Sequence, residues 1–179
     1  MIEEPSGQTP EELAAHYGKD GAVAAAGSWL ATYLDLGLGA VWVRTDPSLR
    51  LVMAQGWLWA NRSHPEIVGQ DLDELAARIV EAAPADGWPR VVLSYLDAEL
   101  RGQMAPWLLD GRYGAASRPR PIAPGYELVV LLECGDEPRV FTELTQEYAE
   151  LFVMRQTPHG WLLAGFGDER VPTPGWPPR

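Results

Sequence analysis

Tyr126-Glu-Leu-Val-Val-Leu-Leu-Glu-Cys134, followed by Gly135-Asp-Glu-Pro138, is the stretch that decides how this chain folds. A run of β-branched residues and leucines stopped by Gly, Asp and Pro reads as a strand closing on a turn. Beyond it, Arg139 to Leu144 carries Val140 and Phe141 among polar residues, so a second strand is expected there. Ala149 to Gln156 continues the meander. Thr157-Pro-His-Gly160 has Pro and Gly at the second and fourth positions of a turn, and Trp161 to Phe166 leads back from it. Within Leu128-Val-Val-Leu-Leu132 every residue is apolar although successive side chains point to opposite faces, so both faces of this strand need cover.

Ahead of the meander the apolar spacing becomes helical. Thr9-Pro-Glu-Glu12 supplies an N-cap, a proline at the first helical position and a glutamate three residues after the cap, and Gly18 is the expected stop. Asp20 is then expected to cap a helix carrying Val23, Ala26, Leu30, Tyr33 and Leu34. Its apolar residues fall on more than one side and its only charges are Asp20 and Asp35, which predicts a central buried helix. Leu36-Gly-Leu-Gly39 breaks it, and Ala40 to Thr45 reads as a helical turn or a short strand. Asp46-Pro47 caps the next helix, with Leu49, Val52, Met53, Trp57 and Ala60 on its apolar face and Ser63-His-Pro65 as its stop.

Gln70-Asp-Leu-Asp-Glu-Leu75 opens a further helix with Leu72, Leu75, Ile79 and Val80 on one side, ended by Ala83-Pro84. Pro89 starts the last one. Its expected core face is Val91, Val92, Tyr95, Leu96 and Leu100, with Asp97 and Arg101 pairing on the outside. From Pro106 to Gly125 the signals are those of a connection with room for one short strand, and Ser117 to Pro121 is expected to be extended. The tail, Val171 to Arg179, is too rich in proline for helix or central strand and must lie across the surface or stay unstructured. Helices first and an antiparallel meander last give an α+β class. The expected architecture is N-terminal helices packed on a strongly curved antiparallel sheet formed mainly by the C-terminal half, enclosing an apolar pocket. A single domain over 1–170 and a tail over 171–179 are expected.

Composition narrows the function classes. A chain of 179 residues is long enough to bury about 70% of its unfolded surface without a metal or disulfide staple. The net charge of -11, from 25 acidic and 14 basic residues, argues against a nucleic-acid partner, because phosphate binding rests on clustered Lys and Arg. Arg118 and Arg120 form the densest basic spot, able either to hold an anionic group or to pair with nearby carboxylates. One cysteine, Cys134, excludes an internal disulfide, and Met1-Ile-Glu-Glu-Pro lacks the basic start of a signal peptide, so a cytoplasmic location is expected. Ala22 to Val43 is apolar enough to test as a membrane span, but Asp35 near its middle would cost about 2.5–3.5 kcal/mol there. A core helix is the better reading, and no membrane partner is expected.

No motif carries sharp chemistry. His16, His64 and His159 lack a second ligand at metal spacing, and Gly37-Leu-Gly39 and Gly165-Phe-Gly167 do not complete a dinucleotide fingerprint, so neither a metal nor a cofactor is expected. Cys134 ends an apolar strand with no histidine nearby in sequence and reads as a structural thiol. What stands out is aromatic. The chain has 8 tryptophans against 3 phenylalanines, and Trp29, Trp42, Trp57 and Tyr95 fall in the helical half. They are either ordinary core or the walls of a pocket for a small apolar molecule.

The run of helices, then Tyr126–Glu133 and the closing Gly160-Trp-Leu-Leu-Ala-Gly165, resembles the cone-shaped nuclear transport factor two-like superfamily over about residues 20 to 167. The resemblance implies a bent sheet wrapped around a long N-terminal helix, a pocket at the open end and sheet-to-sheet homodimers. Isomerases and dehydratases of that superfamily use a tyrosine hydroxyl to stabilise an oxyanion and a carboxylate to move a proton. Tyr33, Asp35 and Asp46 are the positions to which the resemblance points, although Asp46-Pro47 is fully explained as a helix cap, which is the favoured reading. Two functions are therefore carried forward. One is a small apolar-ligand-binding pocket protein, either a pure binder or a cofactor-independent lyase or isomerase. The other is a non-catalytic interaction or dimerisation domain whose cavity is filled by its own side chains.

Overall fold

The computed structural model describes residues 11, 15, 17–81, 87–116, 118–134 and 149–177. The cap expected at Thr9, His16, the stop at Ala83-Pro84, and the turn and strand expected between Gly135 and Leu144 lie outside them. The class is α+β. Helices α1 (Ala22–Leu36), α2 (Leu38–Val41), α3 (Pro47–Ala60), α4 (Leu72–Glu81), α5 (Gly87–Gln103) and α6 (Pro106–Leu109) come first, with a 3₁₀ turn, Trp42–Arg44, between α2 and α3. Strands β1 (Tyr113–Ala115), β2 (Arg120–Ala123), β3 (Tyr126–Glu133), β4 (Ala149–Thr157) and β5 (Gly160–Phe166) follow. They form one open antiparallel sheet of order β1-β3-β4-β5, with β2 pairing β3 as well.

The α1 helix is the centre of the core. Val23, Ala26, Leu30 and Tyr33 are fully buried, and each large apolar side chain buried this way contributes about 1.5–3 kcal/mol. The alanine-rich first turns keep its profile thin, so α1 touches β3, β4 and β5 together. Trp29 sits at this contact, stacked on Tyr33 with ring centroids 5.1 Å apart and edge-on to Phe152 at 6.4 Å. Asp20 does not cap the helix: Gly21 is the N-cap and no side chain bonds there. The Asp20 carbonyl instead accepts the Trp161 indole N–H at 2.8 Å, which ties the start of α1 to β5.

At the other end, Gly37 (φ 80, ψ 179) occupies a region open almost only to glycine, and the chain re-enters a helix at once as α2. Thr45 then forms an isolated parallel bridge with Leu163 of β5, and the Asp46 N–H donates to the Leu163 carbonyl at 2.7 Å. Helical turn and extended contact therefore both occur between Ala40 and Thr45. The cap at Asp46-Pro47 forms as the sequence reads: Asp46 Oδ1 accepts the Ser48 N–H at 2.8 Å. Asp71 does the same for α4 through the N–H groups of Asp73 and Glu74.

Three further expectations need correction. The buried face of α5 is Val92, Leu93, Leu96 and Leu100, whereas Val91 and Tyr95 are 52% and 58% exposed. Asp97 and Arg101 do pair, at 3.2 Å, but toward α1 and α2 rather than on an outer face. The connection after α5 holds two strands, β1 and β2, both laid along the same edge of β3.

The tail lies across the domain. Val171 packs with Leu128, Val153 and Ala164 on the second sheet face, while Trp176 packs against the main core and donates to Asp73 Oδ1 of α4 at 2.6 Å. Leu128, Val153 and Ala164 are at most 2% exposed in the single chain, with Ile122, Tyr126, Val130 and Leu151 around them. Gly165 permits the return toward the tail, because a Cβ there would lie 3.1 Å from the Arg170 carbonyl oxygen. Among the described residues no helix is long and apolar enough to cross a membrane.

Candidate functional site

A cavity of about 380 Å³ opens where α1, α2, α3, α5 and β5 meet. Trp29, Leu38, Thr45 and Leu163 are its buried floor, Met53 and Trp57 of α3 face Leu96 and Leu100 of α5, and Asn61, Glu99 and Gln103 form the polar rim. The lining of α3 falls at Leu49, Val52, Met53, Gly56, Trp57 and Ala60, which is its amphipathic stripe. Gly56 explains the empty space. A Cβ built there meets nothing within 4 Å, so the stripe lacks a side chain at its middle. Glycine inside a helix costs about 0.5–1 kcal/mol relative to alanine, so this position gives up helix stability and volume together.

The floor is apolar apart from one hydroxyl. Thr45 Oγ1 donates to the Val41 carbonyl at 3.0 Å and accepts the Trp29 indole N–H at 3.2 Å. A hydroxyl has two acceptor lone pairs, so one is left over at the floor. The geometry suits an apolar body whose own O–H or N–H reaches Thr45, with further polar contacts at the rim.

The residues singled out by sequence separate into groups. Trp29 and Trp57 line the cavity. Trp42 does not: it is fully buried, its indole N–H donates to the Ile79 carbonyl at 3.3 Å, and the Arg50 guanidinium lies 5.8 Å from its ring centre. Tyr95 lies outside the cavity, stacked against Trp57 at 6.1 Å. None of Tyr33, Asp35 and Asp46 is among the cavity-lining residues. The Tyr33 hydroxyl donates to the Asp97 carbonyl at 3.3 Å with Arg101 over its ring at 4.9 Å. Burial, and next the Asp97 charge, push the Tyr33 pKa well above the ordinary tyrosine value, so its hydroxyl stays protonated. Asp35 is exposed on α1. Asp46 is almost fully buried with both oxygens engaged, Oδ1 on Ser48 N–H and Oδ2 on the Arg155 guanidinium at 2.8 Å.

Sequence reasoning missed Thr45, Gly56, Glu99 and Gln103. Gly56 carried a signal, a glycine in the middle of an otherwise apolar helical stripe. Thr45 carried none, because its place depends on pairing with β5 across more than a hundred residues. Arg120 of the basic spot pairs with Glu169 at 2.7 Å. Among the described residues no group of three or more His, Cys, Asp or Glu side chains is placed to hold a metal ion. Comparison of the chain with family models, curated proteins and solved structures gives no match.

Proposed function

We propose that this chain binds a small, largely apolar molecule with one hydrogen-bond donor in the cavity between α1, α3, α5 and β5. The observation that carries the reading is the volume left at Gly56, about 380 Å³ with an apolar lining and one spare acceptor at Thr45. That size and lining fall within the ordinary range of small-molecule sites, about 300–1,000 Å³ with a few placed polar groups. Tyr33, Asp35 and Asp46 lie away from this lining, so the proposal is for binding without a chemical step.

The nuclear transport factor two-like resemblance is part of the same proposal. Helices ahead of an antiparallel meander, with the long α1 against β3, β4 and β5, support it. Against it, that family places a strand pair among its early helices, where among the described residues this chain has only the Thr45–Leu163 bridge. A sheet-to-sheet homodimer is supported by the only partly buried Val130 and Leu151, although one chain already buries Leu128, Val153 and Ala164.

A thermal-shift and native mass-spectrometry screen with hydroxylated ketones and fatty acids tests the binding reading, because a ligand selective for the folded state raises the melting temperature. Gly56→Leu is the matched control. It should fold at least as well as the parent and lose the ligand-induced shift. Indifference of the parent to a broad set, or shifts that survive in Gly56→Leu, would turn the reading toward an interaction domain. Light scattering settles the dimer, which a monomeric full chain excludes.

A further inference from the structure

A second recess, about 330 Å³, lies on the other side of Trp57, lined by Trp57, Trp88 and Tyr95 together with Asn61, His64 and Glu66. Trp57 and Trp88 pack against the core but are only partly buried, and Tyr95 stands outside it. Tyr95 and Val91 of the same face are more than half exposed, and Trp57 meets Trp88 edge-on at 5.9 Å while lying against Tyr95 at 6.1 Å. Three electron-rich rings from two helices therefore border one solvent-reachable space.

Four rings elsewhere in the molecule are covered by arginine. Guanidinium groups lie 4.5 to 5.9 Å from the ring centres of Trp59, Tyr33, Trp42 and Tyr126. Among the described residues no cation lies over Trp57, Trp88 or Tyr95, and neither Lys nor Arg lines the recess. Arg62 is turned away onto Trp59 and its carbonyl, and Arg90, two residues after Trp88, lines a separate recess beside α2. Glu66 faces the same space. Its backbone is fixed on both sides, the N–H on His64 Nδ1 and the carbonyl on the Gln70 amide, whereas its carboxylate has no hydrogen bond or ion pair among the described residues.

We propose that this aromatic recess binds an organic cation, a quaternary or methylated ammonium group, with the rings supplying their negative faces and Glu66 the countercharge. Ring faces attract a cation held within about 6 Å of their centres, and an ammonium clothed in methyl groups surrenders little hydration on entering. The net charge of -11 draws cations toward the surface from a distance. Trp57 and Asn61 border both spaces, but Trp88, Tyr95 and Glu66 line only this one, so changes at these three test it separately from the cavity at Gly56.

Tetramethylammonium and choline are titrated into the full chain with tryptophan fluorescence and calorimetry, beside the uncharged carbon isostere of choline. Both cations should bind saturably, and the isostere should bind about tenfold more weakly or worse. Glu66→Gln, an exposed change that leaves the fold intact, should weaken both cations about threefold or more without affecting the isostere. Tyr95→Leu and Trp88→Leu should weaken them further, with Tyr95 the safeguard should Trp88→Leu not fold. Equal affinity for choline and its isostere would make the recess merely apolar and overturn the proposal. Failure of the folded parent to saturate with either cation overturns it too, as does an unchanged affinity in Glu66→Gln.

Discussion

Asp46 and Asp97 perform the same task at the two ends of the segment from Leu38 to Thr45, yet only one of them is visible from its neighbours in the chain. Each gives one oxygen to a backbone N–H at the head of a helix, Asp46 to Ser48 and Asp97 to Leu38, both at 2.8 Å. Each gives the other to an arginine, Arg155 at 2.8 Å and Arg101 at 3.2 Å. They differ in reach and depth. Asp46 caps its own helix, two residues away, with its side chain 2% exposed, whereas Asp97 caps a helix 59 residues earlier with its side chain 27% exposed. The local cap is written in Asp46-Pro47, while the remote one exists only once α5 lies beside α2.

Depth should decide the energies. Asp46→Ala removes a cap and strands the guanidinium of Arg155, whose side chain is 42% exposed, so the loss is expected at about 3 kcal/mol, below that of a fully buried pair. Urea unfolding reads it directly, and a loss no larger than that of Asp97→Ala would break the comparison. Gly37→Ala comes next. At φ 80 and ψ 179 an alanine is strained by about 2 kcal/mol, although its Cβ would meet Asp97 Oδ1 only at an ordinary 3.5 Å. Hydrogen exchange should then quicken at Leu38 and in α2 more than at Ser48; equal quickening would mean the two heads are not held independently.

Asp97→Ala is expected to cost about 1–2 kcal/mol, since Arg101 is partly solvated and keeps both the Tyr33 ring and the Tyr33 carbonyl, which it bonds at 3.1 Å. A double-mutant cycle with Arg101→Gln, set beside one for Asp46 with Arg155→Gln, sharpens the contrast. The second should give the larger coupling, and the reverse order would show that exposure does not rank these two pairs.

The same distinction between local and remote explains what could be read before folding. The pairing of β4 with β5, the stops after α1 and α3, and the caps at Asp46 and Asp71 rest on residues a few positions apart. On α5 the spacing allows two neighbouring faces, one with Val91 and Tyr95, the other with Leu93 and Asp97. Hydrophobicity favours the first. The second wins because Leu38 N–H and Arg101 satisfy Asp97, and a paired carboxylate can be drawn inward at little cost. β1 and β2, of 3 and 4 residues, are strands only because the β3 edge is there to pair them. In the cavity Trp57 lay on a legible apolar stripe, but nothing local separates Trp29 from Trp42, whose indole is turned to the Ile79 carbonyl of α4.

Glu150 is a second remote cap and isolates what an arginine adds. From β4 its Oε1 accepts the Ala105 N–H at the head of α6 at 3.0 Å, 45 residues away, and among the described residues no arginine faces it. Burial pushes its carboxyl pKa above the ordinary glutamate value, and the Ala105 N–H only partly offsets this. A raised folded-state value means that the native chain holds this proton more tightly than the unfolded chain does. The associated stability is full below the ordinary carboxylate range and is lost as pH rises through the raised value. A glutamine at 150 keeps an oxygen for Ala105 and carries no charge, so it escapes that loss. Glu150→Gln should therefore match or exceed the parent by under about 1 kcal/mol near pH 7, with the advantage shrinking toward about pH 4. Urea unfolding at both ends of that range is the measurement. A difference that does not change with pH, or one that grows on acidification, would mean that the burial of Glu150 is not what distinguishes it from Asp97.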